Sequence, residues 1–341
     1  MRYVVTGAAG FIGHHVCSML LGSGHDVDGI DSFTDYYDPK LKRANERLLR
    51  GHARYRCHEL DLATTPVDDL LDGADAVIHL AGQPGVRLSW ADRFQVYVDR
   101  NITASHSLLE AARRTRVSRI VLASSSSVYG NASTYPTRED APTRPFSPYG
   151  VTKLAMEHLA RAYGENWGLP VVLLRYFTVY GPGQRPDMGL HRFIAAAAQG
   201  RPVTVYGDGE QVRDYTYVSD AVSATIAATT ADPPPGSVLN VAGGSSSTVN
   251  EVVRLVAECM GCVVMTRRVA EQPGDVRITG GSIDRAWQLL RWQPEVPIRE
   301  GIKHQIAHQL GGCERPLTGV TPTTPAGRPN AIGLTHPASC G

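Results

Sequence analysis

A tyrosine and a lysine four positions apart could form a proton-transfer pair in this chain. Tyr149 and Lys153 follow Ser147 and Pro148, which are typical of the N-cap and first turn of a helix. The two side chains are therefore expected on one face of that helix. A phenol with a pKa of about 10 is a poor base at neutral pH, but a nearby ammonium group favours the phenolate. The spacing predicts a base that takes a proton from a hydroxyl group.

A run of hydroxyl groups is expected close to this pair. The stretch SSSSVYG, residues 124–130, comes directly after the predicted fifth strand. In a doubly wound sheet, the carboxyl ends of the strands face the ligand cleft, so these serines are expected in the cleft. A polar turn without a chemical role is the alternative interpretation.

A glycine pattern near the start of the chain could hold a phosphate group. Gly7, Gly10 and Gly13 form GxxGxxG between the first predicted strand and a helix, where backbone amides and the helix dipole bind pyrophosphate. A strand-to-helix junction also needs glycines for structural reasons alone. The pattern predicts a dinucleotide site in this context.

An acid at the end of the second predicted strand indicates which dinucleotide binds. Asp31 is placed to accept hydrogen bonds from the adenosine ribose hydroxyls and to repel a 2′-phosphate. Because Ser32 and Phe33 follow it rather than an arginine, NAD is favoured over NADP. Asp61 and Leu62, after the third strand, are expected near the adenine amino group, with a surface turn as the alternative.

The elements that must position these residues alternate in type. Short apolar runs (RYVVTG, DVDGID, AVIHLA, RIVLASS and PVVLLRY) are separated by helical patterns, one of them near 94–114. This alternation predicts an α/β fold, a doubly wound parallel (Rossmann) sheet with right-handed crossovers. After residue 180 the elements shorten to VTVY, VLNVA and a helical pattern from Val249 to Met260, which predicts a smaller C-terminal α/β lobe over the strand ends.

This division gives three regions. Residues 1–180 are predicted to form the NAD-binding domain, with part of the sheet returning after 200, and residues 181–310 the substrate lobe. Residues 311–341 are rich in Gly, Pro and Thr and predict a tail that cannot bury enough apolar surface to order itself.

The composition narrows the class of partner. The chain has 341 residues, 42% hydrophobic and 20% charged, with a formal charge of +1. This is typical of a soluble globular protein and gives no basic field for nucleic acid or an anionic membrane surface. No apolar run approaches the roughly 20 residues that span a bilayer, and Met1 leads directly into a strand pattern, so a cytoplasmic location is expected. A small-molecule substrate is favoured.

Two residue pairs have spacings seen in metal sites. Cys259 and Cys262 form CxxC without a second pair, and His304 and His308 lack the glutamate of HExxH. We therefore predict no metal, and expect the six cysteines to be thiols with packing roles.

Together, GxxGxxG, the serine run and YxxxK resemble the extended short-chain dehydrogenases and reductases that modify sugar nucleotides. The resemblance covers residues 1 to about 310. It implies that Ser125 hydrogen-bonds the reacting oxygen, Tyr149 is the base and Lys153 tunes it, with Ser126 and Ser127 as neighbours. It also implies a homodimer packed through the 94–114 helix and the Tyr149 helix. The cofactor-binding residues that it implies are Gly7, Gly10, Phe11, Ile12, Gly13, Asp31, Ser32, Asp61, Leu62, Leu80, Ala81, Tyr149, Lys153 and Tyr176.

Enzymes of this family share an opening step and differ in the fate of its product. Hydride leaves sugar C4 for NAD, giving a 4-keto sugar that is then epimerised, dehydrated or decarboxylated. Dehydratases usually carry TDEVYG where this chain has SSSSVYG, and decarboxylases of UDP-glucuronate typically keep a glutamate at the position of Ser127. Epimerisation is therefore favoured. A non-catalytic dinucleotide sensor or scaffold is an alternative of another class, disfavoured because Tyr149 and Lys153 are both present.

Three stretches resemble UDP-glucuronate 4-epimerases in particular: DSFTDYYDPKLKR from Asp31, HLAGQPGVRLS from His79 and RYFTVYGPGQRPDM from Arg175. Galactose epimerases usually have RYFNPVG at the last. A UDP-glucuronate decarboxylase and a UDP-glucose or UDP-GlcNAc 4-epimerase stay open as alternatives. The resemblance implies that Thr178 and Arg185, or else Arg192, hold the C6 carboxylate. The other substrate-binding residues that it implies are Arg87, Ser125, Ser126, Ser127, Tyr149, Val205, Arg213, Asp275 and Arg277, with Ser89 in the same cleft.

Overall fold

Strands and helices alternate along most of the chain. The computed structural model describes residues 1–115 and 117–311, so the predicted tail lies outside the described residues apart from Gly311. The described strands are β1 (Arg2–Thr6), β2 (Asp26–Asp31), β3 (Tyr55–Glu59), β4 (Ala76–His79), β5 (Ile120–Ser125), β6 (Val171–Tyr176), β7 (Thr178–Tyr180), β8 (Val203–Tyr206), β9 (Val212–Tyr217), β10 (Ser237–Val241), β11 (Ser246–Thr248) and β12 (Thr266–Val269). The described α-helices are α1 (Phe11–Gly22), α2 (Pro39–Arg50), α3 (Asp68–Leu71), α4 (Phe94–Tyr97), α5 (Ala104–Thr115), α6 (Pro148–Trp167), α7 (Gly189–Ala198), α8 (Val218–Thr230), α9 (Val249–Met260), α10 (Asp284–Leu290) and α11 (Ile298–Gln309).

Seven parallel strands form the main sheet, in the order β10-β6-β5-β4-β1-β2-β3. Alternate residues of one strand enter different cores: Val4 packs in one cluster and Val5 in the other. A strand that is apolar on both faces needs helices on both sides of the sheet. The predicted α/β doubly wound parallel fold is therefore confirmed.

The strand register brings the predicted chemical groups to one edge. Thr6 at the end of β1 pairs with Ile30 on β2 and with His79 on β4, while Ser125 on β5 pairs with Tyr176 on β6. Because all these strands run in the same direction, their carboxyl ends and the loops after them lie side by side. The candidate site is built from these loops.

Helix α6 begins where the sequence predicts. The Ser147 hydroxyl accepts a hydrogen bond from the amide of Gly150 at 3.1 Å, and Pro148 occupies the first turn. The helix ends at Gly168 in the left-handed conformation, with φ of 68°. The N-cap at Ser147 thus fixes the start of the helix two residues before Tyr149 and six before Lys153.

The helix predicted near 94–114 is interrupted. A π-helical segment, Val98–Thr103, separates α4 from α5. In it, Asn101 accepts a hydrogen bond from the amide of Gln83 at 2.7 Å and donates one to the Thr152 hydroxyl at 2.9 Å. The π-helical segment thus connects the loop after β4 to α6. Hydrophobic periodicity along the chain cannot predict such a long-range contact.

Two small sheets and their helices lie beyond the main sheet. One has the order β11-β9-β7, and β12 pairs with β8 in the other. Helix α9 spans the predicted range and begins with a capping box between Thr248 and Glu251. In the described part of the chain, none of the helices combines the length and apolar character needed to cross a membrane.

A buried ion pair connects α6 to the centre of the sheet. Arg175 on β6 donates from Nε and Nη2 to the two carboxylate oxygens of Glu157, at 2.9 and 2.7 Å. The two side chains are only 5% and 3% exposed. The Ser124 hydroxyl donates to the same carboxylate, and Tyr129 accepts from Nη1 of Arg175 at 2.9 Å. One charged cluster therefore fixes β5, β6 and α6 relative to one another.

We expect Glu157→Gln to lower the free energy of unfolding by about 3–5 kcal/mol, because the amide leaves the Arg175 charge buried and uncompensated. Urea-induced unfolding measures the change. Glu165→Gln is the control on the same helix: its carboxylate faces Arg161 at 3.9 Å with both side chains more than half exposed, and its loss should cost less than about 1 kcal/mol. Similar losses in the two variants would contradict a structural role for the buried pair.

Candidate active site

A cavity of about 410 Å³ opens at the carboxyl edge of the main sheet. Most of the predicted cofactor and catalytic residues form its walls. They are Gly7, Gly10, Phe11, Ile12, Gly13, Asp31, Ser32, Asp61, Leu62, Leu80, Ala81, Ser125, Ser126, Ser127, Tyr149, Lys153, Tyr176, Thr178 and Arg185. The structure thus brings together residues that lie far apart in the sequence.

The glycine loop at one end of the cavity leaves no room for side chains. Gly7 has a φ of +69°, and a Cβ there would lie 2.8 Å from the amide nitrogen of Ala81. A Cβ on Gly13 would collide with the carbonyl oxygen of Gly7. The loop therefore lies close against the sheet, and the N-terminus of α1 faces the cavity, as a pyrophosphate cradle requires.

Asp31 is held rigidly at the end of β2. Its carboxylate is 6% exposed and accepts hydrogen bonds from the amides of Ala9, at 3.1 Å, and Phe33, at 2.8 Å. Lys42 from α2 lies 3.4 Å from the same carboxylate and also lines the cavity. Sequence reasoning did not single out Lys42, although it lies in the DSFTDYYDPKLKR stretch.

The side chains of Tyr149, Ser125 and Lys153 meet at the end of β5. Burial raises the pKa of Tyr149, while a hydrogen bond with Ser125 and the positive charge of Arg185 lower it. Lys153 donates to the carbonyl oxygen of Ala123 at 2.8 Å, and burial lowers its pKa to about 8 against the opposing charge of Glu157. In this structure, Ser125 and Arg185 are thus the groups that favour the phenolate of Tyr149.

A smaller cavity of about 160 Å³ continues from the first. Ser126, Ser127 and Thr178 line both cavities, and Arg213 and Asp275 line the smaller one. Burial lowers the pKa of Arg213, and the charge of Asp275 opposes this. Such a cation, facing a narrow polar cavity, suits an anionic group of a ligand.

The smaller cavity also contains a residue that sequence reasoning missed. Thr279 lines it, and its buried hydroxyl has no hydrogen-bond partner within residues 1–115 and 117–311. A short polar side chain two positions after Arg277 gives no signal in the sequence. Its place in the wall depends on the pairing of this segment with β9, through Thr279 and Val212.

Two predicted arginines lie outside the two cavity walls. Arg87 pairs with Asp275 at 2.8 Å and stacks 3.9 Å from the centre of the Tyr206 ring. Arg192 lies 3.5 Å from the Tyr206 hydroxyl and does not meet Arg185 in the cavity. Arg87 and Arg192 therefore both contact Tyr206, and neither joins the residues that surround Tyr149.

The remaining three residues predicted in the cleft, Ser89, Val205 and Arg277, also lie away from the walls. Ser89 is fully buried, and its hydroxyl donates to the carbonyl oxygen of Val86 at 2.6 Å. Val205 is only 1% exposed and packs in the core. Arg277 forms two hydrogen bonds with Asp208, at 2.7 and 2.8 Å, and its side chain is 52% exposed. The guanidinium of Arg277 is therefore already paired with the carboxylate of Asp208.

Comparison with known proteins identifies the family. Residues 3–242 match the model of the NAD dependent epimerase/dehydratase family. A UDP-glucuronate 4-epimerase of Thermodesulfobacterium geofontis is 38% identical over 309 residues, which cover 89% of this chain and 94% of that protein.

Two solved structures extend the similarity to three dimensions. A UDP-glucuronic acid 4-epimerase of Bacillus cereus, in complex with UDP-glucuronic acid and NAD, has a TM-score of 0.88 and 38% identity, covering 91% of this chain and 99% of that one. MoeE5, solved with NAD and either UDP-glucuronic acid or UDP-glucose, has a TM-score of 0.82 and 41% identity over the same shares. The resemblance noted in the motifs is confirmed, and the chain belongs to the NAD dependent epimerase/dehydratase family.

Proposed function

We propose that this protein is an NAD-dependent 4-epimerase that interconverts UDP-glucuronate and UDP-galacturonate. The observation that carries the proposal is the position of Arg185, in the cavity wall and close enough to Tyr149 for its charge to lower the tyrosine pKa. A sugar whose O4 reaches Tyr149 would bring its C6 carboxylate towards this guanidinium. The relatives that act on or bind UDP-glucuronate support the same assignment.

The cavity fits NAD. The glycine loop is closed to any Cβ at Gly7 and Gly13, and the fixed carboxylate of Asp31 suits a ribose diol. When bound there, NAD would supply the redox chemistry of the reaction, as the acceptor and donor of the C4 hydride. Leu80, Ala81 and Tyr176 line the same cavity.

The residues of this chain handle the proton. Tyr149 takes the proton from O4 while Ser125 hydrogen-bonds the reacting oxygen, and the proton returns to O4 when the sugar is reduced. With a pKa of about 8, Lys153 is mostly protonated at pH 7 and donates to Ala123 at 2.8 Å. Its ammonium group lies in the wall of the same cavity as Tyr149.

The residues near O4 favour epimerisation over the related reactions. Ser126 and Ser127 line both cavities but carry no carboxyl group that could serve as the acid or base of a dehydration. A 4-keto uronate is a β-keto acid, which loses carbon dioxide when the C5–C6 bond aligns with the carbonyl π system. A guanidinium that holds the carboxylate in the ring plane opposes this loss.

The proposal also covers the domain organisation and the oligomeric state of the protein. Residues 1–180 with β10 would hold NAD, and residues 181–310 would supply the UDP-sugar subsite through Arg213 and Asp275. We further propose a cytoplasmic homodimer that packs through α4, α5 and α6, supported by apolar side chains left exposed on α4 and α6, Val96 and Val151. Light scattering of the purified protein tests the dimer.

We expect Tyr149→Phe to lower kcat by about 10²–10⁴-fold, because the ring loses the group that accepts the O4 proton. The assay incubates the purified protein with UDP-glucuronate and resolves the sugar products by NMR, without added cofactor. Tyr163→Phe is the control on the same helix, since that hydroxyl bonds Glu110 away from the cavity. An active Tyr149→Phe protein would contradict the assignment of the base.

We expect Ser125→Ala to move the acidic limb of the kcat profile to higher pH. The hydroxyl of Ser125 lowers the pKa of Tyr149, so its removal leaves the burial effect less opposed and the phenolate forms at higher pH. Ser125→Thr keeps the hydroxyl and should restore the limb. A profile that falls in height without moving would exclude a role for Ser125 in tuning the tyrosine.

We expect Arg185→Ala to raise the KM for UDP-glucuronate about tenfold or more, because a charge-assisted contact to the carboxylate is lost. The fraction of decarboxylated pentose product should also rise. Product NMR and initial rates measure both effects, with UDP-glucose as the matched substrate that lacks the carboxylate. An equal rise in KM for UDP-glucuronate and UDP-glucose would favour a neutral UDP sugar as the substrate.

A further inference from the structure

Three loops meet over the middle of the main cavity. Tyr36, in the loop after β2, donates from its hydroxyl to Oδ2 of Asp187, in the loop after β7, at 3.2 Å. A Cβ on Gly85, after β4, would collide with this hydroxyl, so only glycine lets the ring reach its position. We refer to Tyr36, Gly85, Arg185 and Asp187 as the clasp. It joins the segment after the ribose acid to the segment that carries the arginine.

Within the clasp, one edge of the Arg185 guanidinium is committed. Nε donates to Oδ1 of Asp187 at 2.9 Å, and Nη2 donates to Oδ2 at 3.0 Å. This forked contact fixes the plane of the guanidinium as well as its position. The side chains of Arg185 and Asp187 are 19% and 32% exposed, so the pair is partly buried, and Arg185 lies in the cavity wall.

The other edge of the same guanidinium is available. Among the residues that the structure describes, no acceptor takes a hydrogen bond from Nη1 of Arg185. A guanidinium has five N–H donors in a rigid fork, so Nη1 and the second hydrogen of Nη2 can serve another carboxylate end-on. Because the group is planar, the first carboxylate determines the direction in which the second must approach.

The charge state of the clasp is set by the same contact. Partial burial raises the pKa of Asp187, but the charge and hydrogen bonds of Arg185 lower it by more. The pKa of Asp187 therefore lies below its usual value. Asp187 is therefore ionised at neutral pH, and Arg185 is a compensated cation before any ligand arrives. The site does not depend on a substrate carboxylate to neutralise a buried charge.

We propose that Asp187 is a positioning residue that determines specificity for the uronate: it aims the free edge of Arg185 at the substrate carboxylate and keeps that carboxylate in the sugar plane. This inference rests on the proposed function. Asp187 is not among the residues that line the cavity around Tyr149, and it acts through its contact with Arg185. Its effect is confined to substrates that carry a carboxylate, and a merely structural residue would affect neutral sugars as much.

The test compares two UDP sugars that differ only at C6. Titration calorimetry on the protein with its bound NAD measures the Kd of UDP-glucuronate and of UDP-glucose for wild type, Asp187→Asn and Tyr36→Phe. Asp140→Asn is the matched control, because Arg138 and Asp140 form a pair at the same sequence spacing, at 3.3 Å, with both side chains more than 60% exposed. Product NMR on the same variants gives the pentose fraction.

We expect Asp187→Asn to weaken UDP-glucuronate binding about tenfold while UDP-glucose changes less than about twofold, and the pentose fraction to rise. Tyr36→Phe should act in the same direction by about threefold, since it removes one neutral hydrogen bond to Asp187. Asp140→Asn should change neither. Thermal unfolding checks that all variants are folded.

Three outcomes would overturn the inference. They are equal weakening of both sugars, unchanged binding of both, and tighter uronate binding in Asp187→Asn, which would mean that Asp187 competes with the substrate. Failure of the proposed function is distinguishable: a wild-type protein that prefers UDP-glucuronate but turns over neither sugar would contradict epimerisation, while the binding ratios of the variants would still decide the role of Asp187.

Discussion

The ion pair between Glu157 and Arg175 is the constraint on which the site depends. It places two buried charges between α6, β5 and β6, where each is stabilised by the other and by neighbouring hydroxyl and carbonyl groups. Such a pair is intolerant of displacement, because separating the charges in a low-dielectric interior is costly. It lies one helical turn from Lys153 and next to Ser125. The Glu157–Arg175 ion pair, which lies outside the cavity, therefore helps to position the groups that act on the substrate oxygen.

Burial around this pair also sets the chemistry of the site. It raises the pKa of Tyr149 and lowers that of Lys153, so it favours the neutral form of both groups. A usable base then requires specific groups that oppose burial at the tyrosine, and Ser125 and Arg185 do so. Arg185 has two effects on one reaction, since it favours the phenolate and faces the place where a carboxylate would bind. In the function that we propose, recognition of the uronate and activation of the base are thus coupled through one cation.

Local patterns predicted the parts of the site that each lie in one segment. GxxGxxG, Asp31, the serine run and the YxxxK helix were inferred from periodicity, capping and strand ends, and the resemblance singled out Ser125 within the run. All of them line one cavity as expected. Lys42, Asp187 and Thr279 were missed because their roles depend on contacts that residue type and spacing do not show. Lys42 faces the Asp31 carboxylate, Asp187 joins Arg185 to the distant Tyr36, and Thr279 is placed by its pairing with β9. The resemblance implied a place for Arg277 in the cleft, but its guanidinium is paired with Asp208. A sequence shows which side chains carry charge, whereas the fold decides which of those charges are already paired.

The clasp shows how a shared fold can be adapted to one substrate. The sheet, the glycine loop and the catalytic tyrosine serve any sugar that presents a C4 hydroxyl, so they do not distinguish one UDP sugar from another. Tyr36, Gly85 and Asp187 all lie in loops after strands, where sequence can change without disturbing the core. Their common effect is to orient Arg185, the cation that we propose separates a uronate from a neutral sugar. Under that proposal, specificity depends on the direction of a guanidinium edge, which is fixed by three loops that the chain places far apart.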